Sequence, residues 1–346
     1  MPSVRLRHLT TRSRVALGLF LALAASLGIP AWISGADAFL YISHTAAWAL
    51  ILAPLLMLAA WFINGFRVHY LLGINRHPIP FGRAWLIAAG GDFGGALGPG
   101  LVTGVGAYVL LTTRQGVPSF TAVALFALEK LLDLLIFFAT LIVSLSLLAW
   151  LGPGHAPWYS LGAAAAFSVA LLAAIGGGAS GARVVLQFTA SLMRRLGVAE
   201  KIRYRWLRWG LGFRRDVRRV MSQPPRRLGL LLLFAAGYWA CRFAVLPVLA
   251  LGLGVSIPWP YLVLVQVLAV FAGQLSVLPG GAVSVEVVFA VLLAQWADRE
   301  MLGTLLLLWR ACVFYLTLIG GGLAFAALLK KTPVASSHPG SQRGCN

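Results

Sequence analysis

The stretch AAGGDFGGALGPGLVTGVGAYVLL, Ala88 to Leu111, sets eight glycines within residues 90–106 around one acid, Asp92. In a soluble protein such a run invites a phosphate-cradling loop. Neither G-x-G-x-x-G after a strand nor G-x-x-x-x-G-K-[ST] is present, so that reading fails. The surrounding chain supplies another. Its 346 residues are 60% hydrophobic and 11% charged, with a mean hydropathy of +0.87. Soluble domains carry about 25% charge. Uncharged apolar windows recur at Val15–Ile33, Thr45–Ile63, Leu134–Leu151 and Trp158–Gly178. Each approaches the roughly 20 residues that cross a bilayer core. The expected fold is an all-α polytopic membrane protein.

The first apolar window follows Arg5, Arg7, Arg12 and Arg14 without a clear A-x-A site, and is read as a retained helix rather than a cleaved leader. Cys241, Cys312 and Cys345 have no paired spacing, so no disulfide or metal framework is expected. The net charge of +19 suggests nucleic acid, but its distribution does not. Thirteen of 28 Lys and Arg lie between Arg183 and Arg227, and most others flank spans. Basic residues beside apolar helices set membrane topology and attract anionic lipid headgroups. The expected partner of 183–227 is therefore an anionic lipid surface, met by an amphipathic segment, and not nucleic acid.

Charge asymmetry also orients the chain. The basic N-terminus, residues 1–14, and the 183–227 segment are expected in the cytoplasm, as is a disordered tail at 330–346. A second helix at about 44–64 returns to a cytoplasmic loop holding Arg67, Arg76 and Arg83. The helix beginning at Phe120 must end outside, so both ends of 84–118 face the cytoplasm. The opening stretch is then a hairpin broken at Gly98-Pro99-Gly100. A second interrupted hairpin, Pro260 to Trp296, breaks at Leu278-Pro279-Gly280-Gly281 and starts and ends outside. Pro99 precedes Glu129 by 30 residues and Pro279 precedes Arg310 by 31. Matching Pro/Gly interruptions in two halves point to an inverted-repeat transporter. Units 83–150 and 259–329 are the expected repeats within a membrane domain at 15–329, with about six full spans besides the hairpins.

Broken helices expose backbone polar groups, tolerated at membrane depth only inside protein or against a wet cavity. Glycine here packs and interrupts helices; it cradles no nucleotide. Half-helix N-termini after Pro99 and Pro279 would offer partial positive charge to an anion. Asp92, Glu129, Lys130, Asp133, Arg242, Glu286 and Arg310 all sit in apolar surroundings, where ionisable groups mark pathways or paired partners. With Pro99, Gly100, Pro279, Gly280 and Gly281 they form the candidate binding and transport set. Arginine forks at Arg242 and Arg310 suit phosphate oxygens, and an Arg310–Glu286 pair is the competing arrangement. The six histidines are scattered, with no H-E-x-x-H or G-x-S-x-G, so neither catalytic residues, metal nor cofactor are expected.

Four segments resemble the flippase-like membrane domain of lysylphosphatidylglycerol synthases and its stand-alone relatives: RVHYLLG (67–73), PFGRAWLIAAGGDFGGALGPG (80–100), GVPSFTAVALFALEKLLDLL (116–135) and LPGGAVSVEVVFAVLL (278–293). The third carries Gly116, Ala122, Glu129, Lys130 in place of the usual Arg, and Asp133. The fourth carries Pro279, Gly280, Gly281 and Glu286. Where the family often has G-E-x-x-R after its first Pro-Gly, this chain has TGVGAY at 103–108, and its acid, Asp92, precedes the break. The resemblance implies movement of a phospholipid or polyprenyl-type lipid between leaflets of a bacterial inner membrane. It also implies no aminoacyl-transferase activity, since only a short tail follows the last span. A membrane-embedded lipid-modifying transferase and a non-transporting assembly factor for lipid synthesis are the alternatives.

Overall fold

The computed structural model describes residues 38–98, 100–152, 200–276 and 278–330, with isolated positions 28 and 162. The expected helices at 15–33 and 158–178, residues 183–199, Pro99 and the tail beyond Lys330 lie outside the described residues. Within them all regular structure is helical: α1 Ala38–His44, α2 Ala47–Ile74, α3 Phe81–Ala96, α4 Gly100–Thr113, α5 Ser119–Leu151, α6 Glu200–Met221, α7 Pro225–Gly252, α8 Trp259–Leu275, α9 Ser284–Leu293 and α10 Arg299–Lys330. Four of these, α2, α5, α7 and α10, are long and apolar enough to cross a membrane.

Proline sets several helix starts. Pro80, Pro118, Pro224 and Pro258 stand at N-caps in extended conformation. The ring fixes φ and removes the N–H at a position outside the helical ladder, and no side-chain cap bond is made at these four starts. Helix α3 ends at Ala96 and α4 begins at Gly100, with Leu97 and Gly98 outside both, at the Gly98-Pro99-Gly100 motif. The arms then close tightly: a Cβ on Gly94 would overlap that of Ala107. Between α8 and α9 the break is longer. Pro279–Gly281 forms one 3-10 turn, with Gly280 and Gly281 at φ 63° and 64°. Right-handed helix cannot pass through two such residues. The half-helix therefore starts at Ser284, not directly after Pro279 as expected, and Glu286 occupies its first turn. That carboxylate already meets the helix dipole.

Salt bridges and packing place a polar layer between two apolar clusters. One contains Met57, Leu141, Leu246, Val265, Phe289 and Leu305; the other contains Leu71, Ile87, Leu111, Leu125 and Leu231. On α2 and α5 the sequence passes from one cluster to the other through Asn64 and Arg67, and through Glu129 and Asp133; on α7 Tyr238 belongs to the first cluster and Arg242 follows it by one turn. One end of the bundle is basic and tied together there: Arg83 Nη1 donates to Gln115 Oε1 (3.0 Å), and Arg114 Nη1 to the Leu329 carbonyl (3.3 Å). The other end joins Ala46 N–H to the Gly252 carbonyl (2.9 Å) and Tyr261 Oη to the Leu292 carbonyl (2.6 Å).

The amphipathic α6 carries Arg214, Arg215, Arg218 and Arg219, and docks against the start of α5. Thr121 Oγ1 donates to Asp216 Oδ2 at 2.6 Å, both side chains buried, and the Arg215 guanidinium sits over the Phe120 ring.

Candidate functional site

A cavity of about 170 Å³ opens in the polar layer. Its walls come from α2 (Asn64, Arg67), from both arms of the first hairpin (Asp92, Tyr108), from α5 (Glu129, Lys130), from α7 (Tyr238, Arg242), and from the second break and α10 (Gly280, Gly281, Arg310). Of the candidate set, Asp92, Glu129, Lys130, Arg242, Gly280, Gly281 and Arg310 line it. Asp133 and Glu286 are buried behind the wall, each holding a lining arginine. Pro99 lies outside the described residues.

Three ion clusters organise the wall. In the first, Arg67 Nη1 donates to Asp133 Oδ1 at 2.7 Å and Nη2 to Glu129 Oε2 at 3.3 Å. Asp133 also accepts from Lys130 Nζ (2.8 Å) and Trp239 Nε1 (2.9 Å), and Glu129 from Tyr108 Oη (2.9 Å). Glu129 and Asp133 are one helical turn apart and share the face that meets Arg67. In the second, Asp92 Oδ2 accepts from Trp61 Nε1 (3.1 Å), Tyr238 Oη (3.0 Å) and Arg242 Nη1 (3.1 Å). In the third, Arg310 donates from Nη2 to Glu286 Oε1 (2.6 Å) and from Nη1 to the Gly280 carbonyl (2.8 Å). The competing arrangement expected for Arg310 is thus the one formed. A broken helix leaves carbonyls without partners, and Arg310 satisfies one of them.

Arg67 requires a correction. The positive-inside count placed it in a loop after a helix ending near residue 64, yet α2 continues to Ile74 and Arg67 is 1% exposed. A charge count near a span end cannot distinguish a headgroup-facing arginine from one with acids waiting on another helix. Sequence reasoning also passed over Tyr108, Tyr238, Trp239 and Asn64. Their signal was weak: polar or aromatic residues amid apolar runs, legible only as neighbours of the charges. Trp309 Nε1 and Gln266 Oε1 (3.0 Å) form a further buried bond, with Gln266 Nε2 on the Phe243 carbonyl (2.6 Å).

Such buried charge is costly in hydrocarbon and persists only when paired. Here Arg67, Lys130, Arg242 and Arg310 are matched by Glu129, Asp133, Asp92 and Glu286, so the formal charge of the set is zero. Some valences stay open: Asn64 Oδ1, Arg67 Nε, Arg310 Nε and Glu286 Oε2 are buried without a partner among the described residues. No group of three or more His, Cys, Asp or Glu suited to a metal occurs among them.

These features define a helical multi-pass membrane protein with a polar cavity at the depth of its spans. The family model for the lysylphosphatidylglycerol synthase TM region matches residues 17–321, and the chain belongs to that family. The model describes the transmembrane region of those synthases, and membership supports a lipid-transporting, flippase-type role for this region. The chain is also similar to a UPF0104 membrane protein of Archaeoglobus fulgidus, with 23% identity over 283 residues, 80% of this chain and 85% of that protein.

Proposed function

We propose that this protein moves a phosphate-bearing lipid between membrane leaflets, with the headgroup in the cavity and the tails in the bilayer. The observation that carries this reading is the cavity itself. It lies between two broken hairpins and is walled by ionic side chains, where an inert bundle would close on apolar contacts. Units 83–150 and 259–329 act as inverted repeats in this reading, within a membrane domain at 15–329 of about six full spans. Two contacts support it: the first hairpin's outer ends meet at Arg83–Gln115 on the basic end, the second's at Tyr261–Leu292 on the other. Both termini and the 183–227 segment then face the cytoplasm of a bacterial inner membrane, with the arginines of α6 against anionic headgroups.

A non-transporting assembly factor for lipid synthesis is the second reading. The complete pairing of the buried charges favours it, since fixed pairs need no substrate. Leaflet exchange of acyl-labelled phospholipids by the intact protein in liposomes separates the two. Protein-dependent exchange supports transport; none, with any phospholipid tried and folded protein verified, supports the assembly role.

A further inference from the structure

The bonds of Asp92 are unevenly shared. Trp61, Tyr238 and Arg242 all donate to Oδ2, and among the described residues none bonds Oδ1. The side chain is 21% exposed and lines the cavity. Arg242 is its complement. Both its hydrogen bonds, to Asp92 and to Tyr238 Oη (2.9 Å), leave from Nη1, and its side chain is 15% exposed to the same space. A free acceptor therefore stands beside a guanidinium with donors to spare.

Four cations and two acids line the cavity, and Asp133 and Glu286 behind the wall bring the whole ionic set to formal neutrality. A headgroup bearing only phosphate would bring an uncompensated negative charge next to Asp92 and Glu129, in surroundings that solvate charge poorly. A headgroup bearing both signs brings no net charge and can satisfy the acceptor and the donor together. Charge-assisted bonds of this kind are the strong ones.

We propose that the cavity selects a zwitterionic headgroup, with Asp92 Oδ1 accepting from its ammonium and Arg242 donating to its phosphate. This rests on the transport reading above. The geometry makes Asp92 the specificity-determining residue. Arg242 alone would welcome any phosphate.

The test is exchange by the intact protein in liposomes of two lipids with identical labelled acyl chains, one with a phosphoethanolamine headgroup and one with phosphoglycerol. The phosphoethanolamine lipid should exchange about tenfold faster or more, the discrimination expected of one charged hydrogen bond. In Asp92→Asn, checked for folding by thermal unfolding and gel filtration, that ratio should collapse toward one. Equal exchange of the two lipids by the unaltered protein, or faster exchange of phosphoglycerol, would overturn the zwitterion proposal and leave transport standing. A full ratio retained in folded Asp92→Asn would overturn the role of Asp92. Exchange of neither lipid would remove the transport reading itself.

Discussion

The Arg310 guanidinium donates to the carbonyl of Gly280, thirty residues earlier, at 2.8 Å. One side chain thereby fastens α10 to the second helix break, and through Glu286 to the half-helix beyond it. Just past Arg310 the backbone widens into two π-helical segments, Ala311–Tyr315 and Thr317–Gly321, a form that recurs where helices serve a site.

Truncating this clasp should damage the fold as well as exchange. Arg310→Ala leaves Glu286 buried and unpaired, with an expected cost of about 3–5 kcal/mol. Replacing both partners by apolar groups, Arg310→Met with Glu286→Leu, should recover most of that stability and none of the lost exchange. Thermal unfolding in detergent, run beside the liposome assay, gives both readouts; a double variant no more stable than Arg310→Ala contradicts the pairing. Arg310→Lys should keep charge and partial function, because it loses the planar fork that reaches both acceptors.

The two acids facing Arg67 should differ in weight. Asp133 accepts from Arg67, Lys130 and Trp239 within 2.9 Å, whereas Glu129 meets Arg67 at 3.3 Å and Tyr108 at 2.9 Å. Asp133→Asn should cost about 3–5 kcal/mol and Glu129→Gln about 1–3 kcal/mol. Exchange normalised for folded protein should fall more for Glu129→Gln, since Glu129 lines the cavity and Asp133 does not. The reverse order of stabilities counts against this arrangement.

Glycine substitutions should sort by surroundings. A Cβ at Gly280 would collide with the Phe314 ring in a conformation with φ 63°, so Gly280→Ala should destabilise by about 1–3 kcal/mol. A Cβ at Gly106 in α4 meets nothing within 4 Å. Gly106→Ala should be neutral or stabilise by up to about 1 kcal/mol, because it removes backbone freedom from the unfolded chain. Equal unfolding midpoints for the two variants would argue against the shape of the break.

The latch between α6 and α5 should be separable from the cavity. Asp216→Asn weakens the Thr121 bond and the attraction of Arg215 and Arg219. Amide exchange across Glu200–Met221 should quicken, while the ratio of exchange between different lipids stays as it was. Unchanged protection of that helix in the variant would mean that apolar packing, such as Phe120 on Gly212, holds it alone.

Composition, apolar windows and Pro/Gly punctuation determined much by themselves: a helical membrane protein, two interrupted segments, and a set of charges too deep to be surface residues. Those signals are local, since hydrocarbon length and proline geometry act on a few residues at a time. Tertiary structure decided which charges meet. The Arg67–Asp133 bond spans 66 residues and Arg242–Asp92 spans 150, and no periodicity encodes such separations. The same limit explains why Arg67 read as a loop residue. Its neighbours in sequence are those of a helix end, while its partners lie on α5. The second half-helix likewise starts later than its proline, because two successive glycines at positive φ form a turn of their own. A single chain's sequence names the ionic groups that must be neutralised in hydrocarbon; only packing brings each acid to its base, and leaves Asp92 on the cavity wall with all three of its bonds on one oxygen.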